Sequence, residues 1–291
     1  MNRFSRYPGF TLVELLVVIA IIGVVIGLMM PAIQSLRESG RRSQCQQNLL
    51  TLGLAMASYH DQMNHFPVGT VADRGPIRNE AVGYHHNWIS AILPQLDCQV
   101  ILDHIDFSVG VYDDTNARVR AMSLPYVRCP SATNLATNTS AYAGIHASVE
   151  TPIDETNDGV FILNEAISRD DITDGLSYTL LIGEKISHSS DDLGWMSGTR
   201  STLRNTGTGI AKVTPDPTAT FDATLIAPSA NPIYAVGGLS SHHAGGVNLL
   251  TGGGEITFRD SSIDSRILQQ MANRSDGQLP IDWDVVGAEG L

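Results

Sequence analysis

The sequence is short of the marks that most enzymes and metalloproteins carry. It has three cysteines in 291 residues, Cys45, Cys98 and Cys129, with no Cys-x-x-Cys and no Cys/His spacing of the zinc type. That excludes a zinc finger or a vicinal redox pair encoded locally. There is no Gly-x-Ser-x-Gly elbow, Walker A loop, dinucleotide fingerprint or His-Glu-x-x-His helix. Those absences remove the hydrolases, nucleotide enzymes, dehydrogenases and zinc proteases that such motifs announce. The chain is therefore not expected to be an enzyme, and no cofactor is required. Basic residues are also scarce, 18 Lys and Arg against 30 Asp and Glu, for a net charge of −12. An acidic surface repels nucleic acid, so no nucleic-acid partner is expected.

What is present is unevenly placed. Mean hydropathy is near zero, yet Leu15–Met30 contains no charged residue. Residues 1–42 carry Arg3, Arg6, Arg37, Arg41 and Arg42 against Glu14 and Glu38, a net of +3, which leaves −15 for the rest. From Phe10 to Met30 a helix rising about 1.5 Å per residue extends roughly 31 Å. That matches the hydrocarbon thickness of a bilayer, about 30 Å. A secretory signal would have a shorter apolar core followed by a small-x-small cleavage site. Met29-Met30-Pro31 offers none, and the small residue, Gly9, stands before the run instead.

Glu14 lies inside the apolar segment. A carboxylate at the centre of a membrane helix costs on the order of 2.5–3.5 kcal/mol, and less near an end. Such a group is expected to have a partner. Cleavage between Gly9 and Phe10 creates an amine one turn before Glu14, on the same subunit or a neighbouring one. A carboxyl that simply reaches the interface is the alternative.

Gly9-Phe10-Thr11-Leu12-Val13-Glu14 with the apolar helix behind it resembles the processing signature of type IV prepilins and type II secretion pseudopilins. The resemblance implies a cytoplasmic leader, residues 1–9, cut after Gly9 by a prepilin peptidase that methylates the Phe10 amine. It gives Glu14 a role in assembly and methylation. It also implies a single pass through a bacterial inner membrane with the remainder outside, and filament partners of the same kind. Arginines on both sides of the span leave the positive-inside rule nearly tied. Orientation therefore rests on the resemblance.

The helix is expected to continue past the span (residues 10–30), bent at Pro31, into an amphipathic half over 31–66. Cys45, Leu49, Leu52, Met56 and Tyr59 fall on one face at steps of four, three, four and three. Phe66-Pro67 ends the pattern. Over 67–291 turn residues separate short β-prone runs at 159–163, 178–182, 246–250 and 255–258. Helical patterns are read near 88–96, 114–124 and 262–272, and residues 201–233 as an extended loop. The expected class is α+β: a long N-terminal helix packed on a largely antiparallel sheet, the pilin plan.

Five further segments resemble a family of large prepilin-like proteins of unknown function. They are Cys45-Gln-Gln-Asn-Leu, Tyr59-His60-Asp61 with Phe66-Pro67, Arg128-Cys129-Pro130-Ser131, Ile172-Thr173-Asp174-Gly175 with Gly183-Glu184, and Ser241 through Asn248. Members carry a C-terminal His-x(9)-Asp-Gly motif. Here His243 leads to Gly253-Gly254, without the aspartate. Gly245, Gly246, Gly253 and Gly254 are expected to turn the chain at either end of a short strand, with His243 bonded across the hairpin.

Outside the cytoplasm Cys98 and Cys129 are open to pairing as a disulfide that leaves Cys45 unpaired; buried free thiols are the other reading. Calcium is the cation best suited to the acidic turns at Asp154, Asp158, Asp170, Asp171 and Asp174, against simple Asx turns. The function expected is a structural subunit of a pilus or pseudopilus. The alternative is a membrane-anchored or filament-tip binding module whose acidic domain holds protein, polysaccharide or calcium.

Overall fold

A computed structural model describes residues 11–132, 136–186, 192–211 and 231–278. One helix, α1 (Leu12–Met63), occupies the first fifth of the chain. Thr11 caps it: its hydroxyl accepts from the Glu14 amide while Glu14 accepts from the Thr11 amide. This reciprocal box satisfies two of the orphan donors at a helix start. The helix continues unbroken past Pro31, whose missing N–H costs one bond without ending the ladder. Asn64 closes the helix in the left-handed region at φ 63°, donating to His60 O at 2.7 Å.

The two halves of α1 meet different surroundings. The most apolar 18-residue window has mean hydropathy 3.0, and none of it is buried in the protein. Further along, Cys45, Asn48, Leu49, Leu52, Ala55, Met56 and His60 are buried. That is the face expected from the sequence, except that Tyr59 is only partly buried and Asn48, Ala55 and His60 join it.

The head is built on a five-stranded sheet in the order β3-β1-β2-β4-β5. The strands are β1 (Tyr142–Ala147), β2 (Leu180–Glu184), β3 (Leu203–Asn205), β4 (Gly246–Thr251) and β5 (Ile256–Asp260). All pairings are antiparallel except β1 with β3. The fold is thus α+β with a mostly antiparallel sheet. Short helices α2 (Trp88–Ala91), α3 (Gln99–Leu102) and α4 (Ala117–Arg120) lie between α1 and β1. The last, α5 (Ser265–Ala272), packs with Leu268, Met271 and Ala272 against Ile145, Leu180, Val247 and Leu249. The main core, with Leu49, Leu52, Met56, Trp88, Phe161 and Trp195, is on the α1 side. On β4, Val247 and Leu249 therefore serve α5 while Leu250 serves the α1 side, the period of two expected of a strand.

Several expectations need correction. Residues 160–163 are not a strand of the sheet: Val160 and Phe161 both donate to Ile145 O, and only Leu163 makes an isolated bridge, to Thr70. Residues 201–233 are not one loop, because Leu203–Asn205 forms β3 and is buried; the stretch 212–230 lies outside the described residues. The segments 88–96 and 114–124 break into single α and 3-10 turns. Gly194–Gly198, which carries Trp195, is buried. At Gly144 on β1 a Cβ would come within 2.8 Å of the Phe161 ring, so only glycine lets that ring lie on the sheet.

Candidate functional site

Two places carry functional residues. The first is the start of α1. Glu14 Oε2 accepts from Thr11 N at 2.8 Å and from Thr11 Oγ1 at 2.7 Å. Gly9 and Phe10 lie outside the described residues. The described partner of the carboxylate is thus the capping residue next to the expected cleavage point.

The second is the junction of α1 with the head. Glu38, Arg41, Cys45 and Asn48 follow one another along α1 at steps of three, four and three, which places them on one face. The head answers each of them. Glu38 accepts from Ser131 Oγ at 3.2 Å and meets His243 Nδ1 at 2.6 Å; Arg41 bridges back to Glu38 at 2.6 Å. Asn48 donates to Arg128 O at 2.8 Å. The Tyr142 hydroxyl donates to Cys45 O at 3.1 Å. Gln46 donates to Asn248 Oδ1 at 3.1 Å, and the Arg42 guanidinium sits 3.4 Å from the centre of the Phe258 ring.

At the middle of this junction the thiols of Cys45 and Cys129 are 2.7 Å apart, both buried. His243 Nε2 is 3.6 Å from the Cys129 sulfur. Behind it Glu184, 2% exposed, accepts from Asn248 N at 2.8 Å, Asn248 Nδ2 at 3.0 Å and Ser241 Oγ at 2.8 Å. Its Oε1 is 3.6 Å from His243 Nε2.

The electrostatics follow from this crowding. Burial opposes a charge on His243, but Cys129, Glu184 and Glu38 outweigh it and hold its pKa up to about 9. The bond from Cys45, against burial and with help from His243, brings the Cys129 thiol down to about 5, while Cys45 is pushed up by the same contact. Burial raises Glu184 against its three donors. Cys129 and His243 thus favour each other's charged forms.

His243 therefore does not bond across the hairpin as expected. It turns away from β4 toward α1, its own amide held by Ser241 Oγ at 3.1 Å. The glycines behave as turn residues at two points: Gly245 has φ 88° and Gly254 has φ 85°. A Cβ on Gly246 would lie 2.0 Å from Arg259 O, so β5 crosses there at backbone contact. A Cβ on Gly253 would lie 2.8 Å from Ser177 Oγ and 3.1 Å from its Cα. The space for the aspartate of the motif is taken by Ser177.

Of the two readings left open for the cysteines, the Cys98–Cys129 disulfide is not formed, and all three are free thiols here. Cys98 directs its thiol to Leu96 O at 3.4 Å, within its own turn, while Cys129 faces Cys45. Among the described residues, Cys45, Cys129 and His243 are the group whose donor atoms lie within 4.8 Å of one another. Two zinc-bound thiolates at about 2.3 Å from the metal in a tetrahedron stand roughly 3.8 Å apart. The two sulfurs here are much closer than that, and do not fit a shared ion. The acidic turns use their oxygens internally. Asp154 accepts from Glu155 N, Asp158 from Ser148 N and Oγ and Asn273 Nδ2, Asp171 from Ser168 N and Oγ, and Asp174 from Asp276 N and Gly277 N. Asp170 is exposed.

In the sequence Cys45, Cys129, Glu184 and the Ser241–Asn248 run stand far apart, and no spacing ties them together. Glu38 and Tyr142 were not singled out at all. For Glu38, the signal was its position three and seven residues before Arg41 and Cys45, on the same helical face.

The family model described as protein of unknown function (DUF1559) matches residues 34–266, most of the chain. The chain belongs to this family. Every side chain of the junction, from Glu38 to Phe258, lies inside the DUF1559 match. A second model, the prokaryotic N-terminal methylation motif, matches residues 5–30, so the DUF1559 head of this chain sits behind a prepilin-type start. No curated protein and no solved structure matches.

Proposed function

We propose that the chain is a structural subunit of a type IV pilus or type II secretion pseudopilus. A prepilin peptidase cuts it after Gly9 and methylates Phe10, and the head then lies outside the inner membrane. The mechanism is assembly rather than catalysis. The observation that carries this reading is the division of α1. Its apolar half is wholly uncovered by the head, whereas the same unbroken helix buries one face against the head from Cys45 onward. Apolar surface of that extent requires lipid or like helices around it. In a filament, neighbouring helices replace the lipid at little cost, because both surroundings are apolar. Glu14 then meets an amine at a Phe10 terminus.

Intact-mass spectrometry of the protein from its native membrane tests the processing. A chain starting at Phe10 with one added methyl group is expected; a chain that keeps residues 1–9 refutes it. Glu14→Ala is expected to lower the amount recovered in sheared surface filaments at least tenfold while the membrane pool persists. Unchanged incorporation would remove the role given to Glu14.

A further inference from the structure

We propose that Cys45 and Cys129 form a disulfide in the mature protein, covalently joining the assembly helix to the head. The two residues are 84 positions apart in sequence, one on α1 and one on the loop before β1, yet their thiols are in direct contact. Both are buried, and the surrounding bonds fix each backbone: Tyr142 holds Cys45 O, and Asn48 holds Arg128 O next to Cys129. Cys98 is placed outside this contact, bonded to Leu96 O. The cysteines therefore sort into one facing pair and one spare.

Two thiols become a disulfide by giving up two electrons and two protons, which requires an oxidant. The fitting class is a disulfide, whether glutathione disulfide or the active-site disulfide of a thiol oxidoreductase. Cys129 attacks one sulfur of that oxidant, forming a mixed disulfide and releasing the first thiolate. Cys45 then attacks the Cys129 sulfur and expels the second. The proton from Cys129 rests on His243 Nε2 until a departing thiolate takes it; the proton from Cys45 goes to the other. His243 is held for this by Glu38 on Nδ1. Because both sulfurs are buried in the finished fold, the exchange takes place as the head closes on α1.

That an oxidant meets the head in cells rests on the exported topology proposed above, so the test separates the two. The full-length protein is reduced and unfolded, refolded into detergent with glutathione and glutathione disulfide present, and then denatured, alkylated and digested. The expected result is a Cys45 peptide linked to a Cys129 peptide, with alkylation confined to Cys98 until reductant is added. His243→Ala is expected to slow formation of the link at neutral pH at least fivefold without changing which cysteines pair. Three alkylated cysteines in the oxidised sample overturn the proposal. So does a Cys98–Cys129 link, or stoichiometric zinc with both thiols free. Protease shaving of intact cells reads export independently, whatever the state of the thiols.

Discussion

Leu49 offers the sharpest test of how α1 is joined to the head. It is fully buried in the main core, while its neighbour Leu50 is 47% exposed. Replacing Leu49 by alanine removes a buried side chain against a wall that α1 and the sheet hold in place, so the site closes only in part. Such changes cost about 2–5 kcal/mol, and about 3 kcal/mol is expected here. For a domain of this size each kcal/mol lowers Tm by roughly 2–4 °C, which gives a fall of about 6–12 °C. Leu50→Ala is expected within about 0.5 kcal/mol of the parent. The assay is thermal unfolding of the full chain in detergent, followed by near-ultraviolet circular dichroism, since Trp88 and Trp195 are both buried in the same core. Equal shifts for the two variants, or a larger shift for Leu50→Ala, would mean that the second half of α1 is not docked by this face. The helix and head would then not move as one body during assembly.

Other outcomes follow from the buried polar groups and from one tight contact. Lys185 and Asp192 pair at 2.6 Å with both side chains essentially buried. Burial depresses the Lys185 pKa to about 8, against Asp192 and with Arg204 and Arg200 adding to the depression. A depressed folded value means that this group's contribution is complete above its unfolded pKa and is lost as pH falls through about 8. Lys185→Met should therefore flatten the dependence of stability on pH between about 8 and 10.5, as measured by urea unfolding. Asp158→Ala strands the Ser148 amide, the Ser148 hydroxyl and the Asn273 amide group. A loss of about 1–3 kcal/mol is expected by the same unfolding assay, and no loss would mean that water replaces the carboxylate freely. Gly144→Ala drives a methyl into the Phe161 ring and should cost about 1–3 kcal/mol, part of which Phe161→Leu in the same chain should recover.

The sequence shows α1, its two halves and its buried face because the helix is long and its pattern is local. Three of the five described strands were legible for a similar reason: β5 alternates, and β2 and β4 are short runs rich in leucine, isoleucine and valine next to turn signals at Asp174-Gly175 and Gly252-Gly253-Gly254. β1 was not, since Tyr142-Ala-Gly-Ile-His-Ala147 is buried along its whole length and has neither alternation nor a branched run. β3 is three residues long and its composition reads as loop. The run at 159–163 misled in the other direction. It is apolar and branched, but it packs on β1 as irregular chain rather than as a strand. The junction was legible only in fragments. A histidine at 243, a glutamate at 38 and cysteines at 45 and 129 meet through tertiary packing, which no spacing rule in one sequence can express.

The order of strands also bears on when the head can form. β1 lies between β2 and β3, whose residues are synthesised well after it, and β2 waits for β4, which comes later still. A sheet joined by such distant partners closes slowly, because each pairing must first close a long loop. Until β4 is delivered, α1 has no completed surface on which to rest. Under the exported topology proposed above, a chain held in the lipid by its first helix would cross unfolded, and the last strands to emerge would complete the structure on the far side.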